Sequence, residues 1–482
     1  MAFRINHNIA SMNAYRNLAR NDTGLTKSLE RLSSGLRINK SADDPAGLVV
    51  SENMRAQIIG LGQAIENSET ATAMVQTAEG ALTEVHALLL SMRELAVHAA
   101  NEGANSAADL AADQAEIDNA LDTIDRIAAQ TQFGTKLLLD GSNGVTGTVT
   151  GSIAFLGGTQ STTAGTYTVT VTTQAEKATV TTGNSAAITG ITADETLTLT
   201  NDDSGASVTI ALLAGDNRQT IIDKINAYTS TTLVEASVNG ANDIQLDSVV
   251  YGTAGDFTIV SDNAAVDGTQ SGFSAGGGDT DDGVNIAGTF DVGATTYQAD
   301  GAGAILTGRA GSAVEGLQVQ TTAAAGAAGT VTVTNNSLVF QVGANSGQTV
   351  NLAIDNVGTS YMGKGLDVTS GGTNIFSSLG EVSILDAASA SDAIDIIDKA
   401  ITDISSLRGM LGAFQSNTLE SGINNLRVSE ENLVAAESII RDTDMAEEMA
   451  VFTRNQIMIQ AATAMLAQAN ASPQVVLQLL GG

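Results

Sequence analysis

Residues 25–47 read LTKSLERLSSGLRINKSADDPAG and combine the end of one helix with the start of the next. Leucines recur there at the spacing of a single helix face (Leu25, Leu29, Leu32 and Leu36). The run Ser33–Gly35 breaks that spacing and predicts a short non-helical connector. Asp44 suits a helix N-cap and Pro45 suits a first helical turn, so a second helix is predicted to start there.

The helical spacing of apolar residues extends from this stretch toward both ends of the chain. The second helix is predicted to reach Val97, and a capping box of Ser106 and Asp109 predicts a third. Near the other end, Ser391 is predicted to cap a long helix, and a further amphipathic stretch follows residues 442–444. Both ends of the chain are therefore predicted to be helical.

The middle of the chain has a different pattern, because residues 150–380 are rich in Thr, Val, Gly and Ala. Alternation of β-branched residues with frequent glycines is typical of strands and turns, and residues 137–141 are also predicted as a strand and turn. A capped helix at 216–226, between strand-like segments, predicts an α+β module. The predicted fold class is α+β multidomain, with terminal helices pairing into a coiled-coil or helical-bundle shaft around an inserted β-rich region.

The terminal helices cannot bury their apolar stripes alone, and isolated helices of such sequence are marginal in water. They need each other or a neighbouring copy of the chain, so assembly is the first functional hypothesis. Coupling assembly to folding would offset the cost of ordering these helices by burial against many neighbours.

Charge and composition exclude several classes of partner. The 482-residue chain carries a net charge of −32, which argues against nucleic acid and against insertion into an anionic membrane. Residues 1–40 differ, with seven basic and two acidic side chains. No window reaches the length of a membrane span, and the start lacks a secretory apolar run. If the chain leaves the cell, we expect a route without a cleaved signal peptide.

No pattern in the sequence predicts catalysis or a cofactor. The three histidines are His7, His86 and His98, none of which forms a His-Glu-x-x-His zinc motif. The chain has no Cys nucleophile, no phosphate-binding loop and no Gly-x-Ser-x-Gly elbow. Residues 279–283 (DTDDG) lack the spacing and closing Glu of a calcium loop, so a solvated acidic turn is predicted.

Ordered motifs at both ends resemble those of bacterial flagellins. The N-terminal motifs are SLERLSSGLRIN at 28–39, DDPAG at 43–47, QTAEGAL at 76–82, RELAV at 93–97 and QTQF at 130–133. The C-terminal motifs are IRDTDMAEE at 440–448 and MLAQAN at 465–470. The resemblance covers about the first 140 and the last 110 residues, and residues 195–260 resemble a small insert of some flagellins and hook-associated proteins.

The resemblance implies a division of the chain into three layers. Residues 1–44 and 442–482 would be the innermost terminal helices, which form a coiled-coil tube. Residues 45–177 and 335–441 would form an inner helical shaft domain with a β-hairpin. Residues 178–334 would be the β-rich outer surface, as two subdomains of about 178–265 and 266–334.

The implied function is a structural subunit that polymerises into the flagellar filament for swimming. The predicted polymerisation contacts are Ile5, Ile9, Leu29, Leu32, Arg93, Leu95, Met449, Ile457, Met465, Leu466, Leu477 and Leu480. The implied partners are other copies of the chain, the flagellar type III export apparatus, an export chaperone and a filament cap. The expected location is outside the cell, in the filament.

A second surface resembles the part of flagellins that the animal flagellin-sensing Toll-like receptor contacts, and it comprises Arg93, Glu94, Leu95 and Glu116. Leu95 is predicted to pack between subunits, with receptor recognition incidental to the bacterium. Stimulatory flagellins usually carry Arg three residues before Glu94, where this chain has Ser91. We expect weaker recognition as a result.

Other interpretations remain open from the sequence alone. One alternative is a hook–filament junction protein, which shares the terminal scheme. Another is a filament subunit with an added adhesin role in its outer region. The connector of residues 35–39 could be a simple link before a helix start, or a joint between filament conformations. Outer Ser and Thr residues could accept O-linked sugars, although strand propensity alone accounts for them.

Overall fold

The computed structural model describes residues 8–101, 103, 105–182, 191–241, 243–263, 271–273, 279–365 and 376–480. The chain forms two compact units. The terminal-helix unit comprises Met1–Thr70, Gln341–Thr349 and Leu419–Gly482, and the β-rich unit comprises Ala71–Phe340 and Val350–Thr418. Within the described ranges, no helix is long and apolar enough to cross a membrane.

Long helices form both ends of the chain, as predicted. The helices are α1 Ile9–Ser34, α2 Pro45–Ala99, α3 Ala107–Gln130, α4 Arg218–Asn226, α5 Thr229–Thr232, α6 Ala387–Ala413, α7 Ser421–Arg441 and α8 Met445–Leu480. A π-helical segment, Phe414–Glu420, separates α6 from α7.

Local capping explains where these helices begin and end. Helix α1 starts because the Asn8 side chain accepts the N–H of Ser11, and it ends at Gly35, whose φ of 74° is in the left-handed region. The capping box at the start of α3 is confirmed, with reciprocal bonds between Ser106 and Asp109.

The predicted start of the last long helix at Ser391 is wrong. The cap of helix α6 is Asp386, five residues before Ser391, because the carboxylate of Asp386 accepts the N–H and the hydroxyl of Ser389. Ser391 lies inside the helix.

Short strands fill the middle of the chain, as the alternating pattern predicted. The strands are β1 Gln132–Phe133, β2 Lys136–Leu137, β3 Val145–Gly151, β4 Ala154–Gly157, β5 Gly165–Thr173, β6 Thr179–Thr181, β7 Glu195–Asn201, β8 Ser207–Leu212, β9 Val234–Val238, β10 Ile244–Ser248, β11 Phe257–Ser261, β12 Asp279–Asp281, β13 Ala287–Val292, β14 Thr295–Ala302, β15 Ile305–Gly308, β16 Gln318–Gln320, β17 Gly326–Asn335, β18 Leu338–Gln341 and β19 Thr349–Leu352.

One core of the β-rich unit is built on an eight-stranded antiparallel sheet with the order β3-β17-β5-β13-β14-β15-β16-β4. Its inward positions bury Val169, Phe290, Leu306 and Val331 completely. Three of its strands precede residue 177 and four lie within 287–320, so the sheet spans the boundary predicted at 177/178. The predicted domain limits stay a prediction.

The α+β module predicted around 208–260 is present. A four-stranded sheet (β12-β11-β7-β8) and a three-stranded sheet (β6-β10-β9) share a core with α4. Helix α4 begins after Asn217, whose side chain accepts the N–H of Thr220, and it buries Ile221 and Ile225. The acidic turn predicted at 279–283 is instead largely strand β12, because Asp279–Asp281 pairs with β11.

Candidate assembly surface on the terminal helices

Helices α1 and α8 form an antiparallel pair. The Asn8 side-chain amide donates to the carbonyl oxygen of Ala469 over 2.8 Å. At the other end of α1, the Arg31 guanidinium lies 3.3 Å from the Glu448 carboxylate. Between them, a Cβ placed on Gly24 would lie 3.2 Å from the side-chain nitrogen of Asn455, so the helices approach closely there.

Half-buried side chains form the face where the two helices meet, and they recur every three or four residues. From α1 and α8 they include Ala14, Leu18, Leu25, Leu32, Val451, Phe452, Ile459 and Leu466. Two residues predicted as polymerisation contacts, Leu32 and Leu466, therefore lie on the face between the helices of one chain. Small residues such as Ala14 and Gly24 on this face allow the helices to approach closely.

Outside the face where they meet, both helices of the pair also expose large apolar side chains. Ile9 is 60% exposed and Leu29 is 57% exposed on α1. On α8, Met449 is 50%, Ile457 is 59% and Met465 is 64% exposed. We call these five residues the outer apolar face. Burying such side chains is favourable by roughly 25 cal/mol per Å² of apolar surface, so this face favours contact with another apolar surface.

An open hollow lies along the exposed side of α8. Its volume is about 590 Å³, and its lining is formed by Met449, Ala450, Thr453, Arg454, Ile457 and Met458. Two residues of the outer apolar face, Met449 and Ile457, line this open surface hollow.

The connector between α1 and α2 is held to the start of α8. The backbone N–H of Arg37 donates to the carbonyl of Arg441 over 2.6 Å, and that of Thr443 donates to the carbonyl of Gly35 over 2.9 Å. These bonds form a bridge between Leu36 and Asp442. Ile38, 2% exposed, anchors the connector in the unit.

Ion pairs fix the same connector on its other side. The Lys27 ammonium lies 2.7 Å from the Asp43 carboxylate, and Lys40 lies 2.7 Å from Glu30. The hydrogen bond from Lys27, with a further bond from the backbone N–H of Lys40, lowers the pKa of Asp43 to about 2. The geometry makes residues 35–44 an ordered link.

The remaining predicted site residues lie in the β-rich unit. The Arg93 guanidinium makes two hydrogen bonds to Asp398 of α6, at 2.6 and 3.2 Å, and the first of these raises the pKa of Arg93. Glu94 and Glu116 are exposed, whereas Leu95 is half-buried. His98 Nδ1 lies 2.6 Å from Asp113, so the end of α2 runs beside α3 and brings these residues to one region.

Some predicted contacts fall outside what the structure describes, and some exposed residues were missed. Ile5 and the side chains of Leu477 and Leu480 lie outside the described residues. Tyr15 on α1 and Met458 on α8 are exposed and were not predicted. The spacing of apolar residues in the sequence could have identified both, because Tyr15 follows Met12 by three residues and Met458 adjoins Ile457.

No group of three or more acidic or histidine side chains that could hold a metal ion occurs in the described part of the chain. The surface of the terminal-helix pair consists of exposed apolar side chains, an open hollow and a few ion pairs. Such a surface is suited to packing against another protein surface.

Comparison with known protein families identifies both ends of the chain. The bacterial flagellin N-terminal helical region matches residues 5–144, and the bacterial flagellin C-terminal helical region matches residues 394–480. A third match, the flagellin hook IN motif, covers residues 196–250 and falls within the α+β module.

Similar proteins align along nearly the whole chain. Flagellin from Clostridium tyrobutyricum is 35% identical over 470 residues, which cover 98% of this chain and 100% of the relative. Flagellin from Bacillus subtilis (strain 168) is 30% identical over 488 residues, with 99% of each chain covered. FliC from Burkholderia pseudomallei has 19% identity over 71% of this chain and 98% of its own, at a TM-score of 0.27.

These relatives favour neither the hook–filament junction nor the added adhesin role. Matches at both helical ends and full-length relatives at 30% identity or more agree with the paired terminal helices. The chain belongs to the bacterial flagellin family and is a structural subunit of the flagellar filament.

Proposed function

We propose that copies of this chain polymerise through the outer apolar face of the terminal-helix pair. The observation that carries the proposal is the exposure of Ile9, Leu29, Met449, Ile457 and Met465, each half or more open to solvent in the single chain. Apolar side chains of this size are normally buried in an interface when they recur on one helix pair. A head-to-tail contact of this kind that does not close into a ring generates an open helical filament.

The proposal assigns two roles to the predicted contact residues. The outer apolar face contacts neighbouring copies, whereas Leu32 and Leu466 hold α1 against α8 within each copy. Arg93 and Leu95 are proposed to lie in a second contact between shaft regions, with Arg93 oriented by Asp398. Ile5, Leu477 and Leu480 are proposed to contact neighbouring copies as well.

The layered arrangement implied by the family is part of the same proposal. Residues 1–44 and 442–482 would line the inner tube, residues 45–177 and 335–441 would surround them, and residues 178–334 would face outward. Rotation of such a filament by a motor would produce thrust.

Export is proposed to precede assembly. The chain would pass unfolded through the flagellar export apparatus, with help from an export chaperone, and reach a filament cap outside the cell without a cleaved signal peptide. Support comes from the sequence of the terminal helices, since isolated helices of this kind are marginal in water and need a partner to stay folded. The outer apolar face would then become buried only on assembly.

The proposal is tested by removing the C-terminal helix and, separately, by one substitution on it. Deleting residues 445–482 should abolish sedimentable filaments while the β-rich unit stays folded, as judged by hydrogen exchange in its sheet. Ile457→Ser should reduce assembly at least about tenfold, since a polar group is placed where apolar surface is buried.

The matched control is Leu213→Ser. Leu213 is 58% exposed, nearly as much as Ile457, but it belongs to the α+β module. This variant should assemble like the unaltered chain. Filaments of normal length from the truncated chain, seen by electron microscopy, would refute the proposal.

A further inference from the structure

Most of the exposed methionines among the described residues lie on the terminal-helix pair. The sequence has 11 Met and neither Cys nor Trp. Five methionines on α1 and α8 are between 48% and 64% exposed: Met12, Met445, Met449, Met458 and Met465. We call them the methionine cluster. Because the chain has no thiol to compete for oxidants, these exposed thioethers are sites at which a peroxide can react.

The β-rich unit provides an internal contrast. Met74, Met92 and Met362 are at most 8% exposed there, so their sulfur atoms are shielded from solvent. Met410 on α6 is the exception, at 41% exposure. Exposure, and hence reactivity toward a dissolved oxidant, therefore separates the methionines of the assembly surface from those of the core.

We propose that the methionine cluster is an oxidative modification site whose conversion to methionine sulfoxide blocks addition of the chain to the filament. This inference rests on the proposed function, because it requires the outer apolar face to be buried on assembly. Met449 and Met465 belong to that face, and Met449 and Met458 line the hollow on α8.

The oxidant is a peroxide, and the reaction balances without another cofactor. The thioether sulfur attacks one oxygen of hydrogen peroxide, a sulfur–oxygen bond forms, and the oxygen–oxygen bond breaks. The departing oxygen takes the proton of the transferred hydroxyl group and leaves as water. Sulfur is oxidised by two electrons and the peroxide is reduced by two.

Methionine sulfoxide makes this surface less able to assemble. A sulfoxide replaces a soft apolar group with a strong hydrogen-bond acceptor, which must lose water when it enters an apolar interface. In the hollow, two of the six lining residues would change in this way. The single chain is then sensitive to peroxide, whereas a copy already in the filament is protected by its neighbours.

The modification is also reversible in principle. Two methionine sulfoxide reductases, one for each sulfoxide epimer, return the thioether. Oxidation of the assembly surface therefore prevents an exported subunit from joining the filament, and reduction restores that ability.

The test treats the unassembled full-length chain with hydrogen peroxide, maps sulfoxides by peptide mass spectrometry and measures assembly by sedimentation. The methionine cluster should be oxidised well before Met74, Met92 and Met362. Oxidised chain should form at least about tenfold less filament, and treatment with reductases of both epimer specificities should restore assembly. The same peroxide treatment of finished filaments should oxidise the cluster more slowly.

Two variants separate the cluster from other methionines, each compared with its own untreated sample. Met410→Leu should be as peroxide-sensitive in assembly as the unaltered chain. The variant with all five cluster residues changed to Leu lacks the oxidisable groups, so peroxide treatment should leave its assembly nearly unchanged. If this variant does not assemble even without treatment, the deciding result is whether the reductases restore assembly of the oxidised unaltered chain.

Normal assembly of chain whose cluster is shown to be fully oxidised would overturn the inference and leave the proposed function standing. A loss of assembly that the reductases fail to reverse after the sulfoxides are gone would overturn it as well. Failure of the untreated chain to assemble would instead overturn the proposed function.

Discussion

The guanidinium of Arg37 donates to the carbonyl oxygen of Ile440, with 2.5 Å between Nη2 and the oxygen. The same nitrogen lies 3.2 Å from the carbonyl of Ile439. These carbonyls belong to the last turn of α7, where intrahelical donors run out, so Arg37 caps that helix with a cation at its negative end. One side chain therefore ties the connector after α1 to the helix that precedes α8.

Replacing Arg37 should loosen this junction. In Arg37→Ala, the last carbonyls of α7 lose their charged donor, and the backbone bonds of Arg37 and Thr443 should open more often. We expect amide hydrogen exchange at position 37 and at Thr443 to accelerate about tenfold. Arg37→Lys, which keeps the charge but has one compact donor group, should give a smaller effect. Unchanged exchange in Arg37→Ala would contradict the capping role.

Arg31 and Glu448 form an ion pair between α1 and α8, and their side chains are 27% and 10% exposed. Arg31→Met leaves the Glu448 carboxylate without its counter-ion, and we expect a loss of about 1–3 kcal/mol in the free energy of unfolding of the terminal-helix unit. Thermal or denaturant unfolding followed by helical circular dichroism measures it.

The double variant Arg31→Met with Glu448→Met is the control. It removes both charges and keeps similar volume, so it should recover most of the stability lost by Arg31→Met alone. If the double variant is less stable than Arg31→Met, the ion pair stabilises through contacts other than charge compensation.

Acid should weaken the connector through Asp43. Its pKa is lowered from the ordinary 3.8 to about 2, so its contribution is complete above pH 3.8 and is lost as the pH falls through about 2. Asp43→Asn cannot make the charged bond to Lys27. The stability gap between the unaltered chain and Asp43→Asn, from denaturant unfolding, should therefore shrink between those two pH values. A gap that stays constant across that window would show that Asp43 does not act through its charge.

Receptor recognition should respond to residue 91. Ser91 is exposed on α2 and lies one helical turn before Glu94 and Leu95, so an Arg there would share their face. We expect Ser91→Arg to raise the Toll-like receptor reporter response of unassembled chain by about tenfold, the effect of one added charge-assisted contact. Ser91→Met, similar in reach but uncharged, should not reproduce the gain. Equal responses from all three chains would show that position 91 is not part of the receptor contact.

The sequence predicted the ends of the fold well because their signals are local. Gly35, Asp44, Ser106 and Asp109 determine helix ends through bonds to residues within one turn, and the structure has helix ends at each of them. Ser391 failed as a cap because a better acceptor, Asp386, precedes it, and competition between caps is hard to judge from a single sequence.

Long-range pairing was much less predictable. The sheet that joins β3–β5 with β13–β17 places strands more than a hundred residues apart side by side, and alternation alone carries no information on partner choice. Asp279–Asp281 was therefore predicted as a turn, although its pairing with β11 makes it a strand.

The assembly surface was likewise predictable in its local pattern but not in its long-range contacts. Sequence by itself determined which residues form the apolar stripes of α1 and α8, since helical period follows from local geometry. Only the tertiary structure decided that Leu32 and Leu466 lie between the two helices while Ile9, Leu29, Ile457 and Met465 remain exposed. The reason is that a stripe specifies a face, whereas burial depends on which part of that face the partner helix covers, and partner and register are set by contacts between residues far apart in the chain.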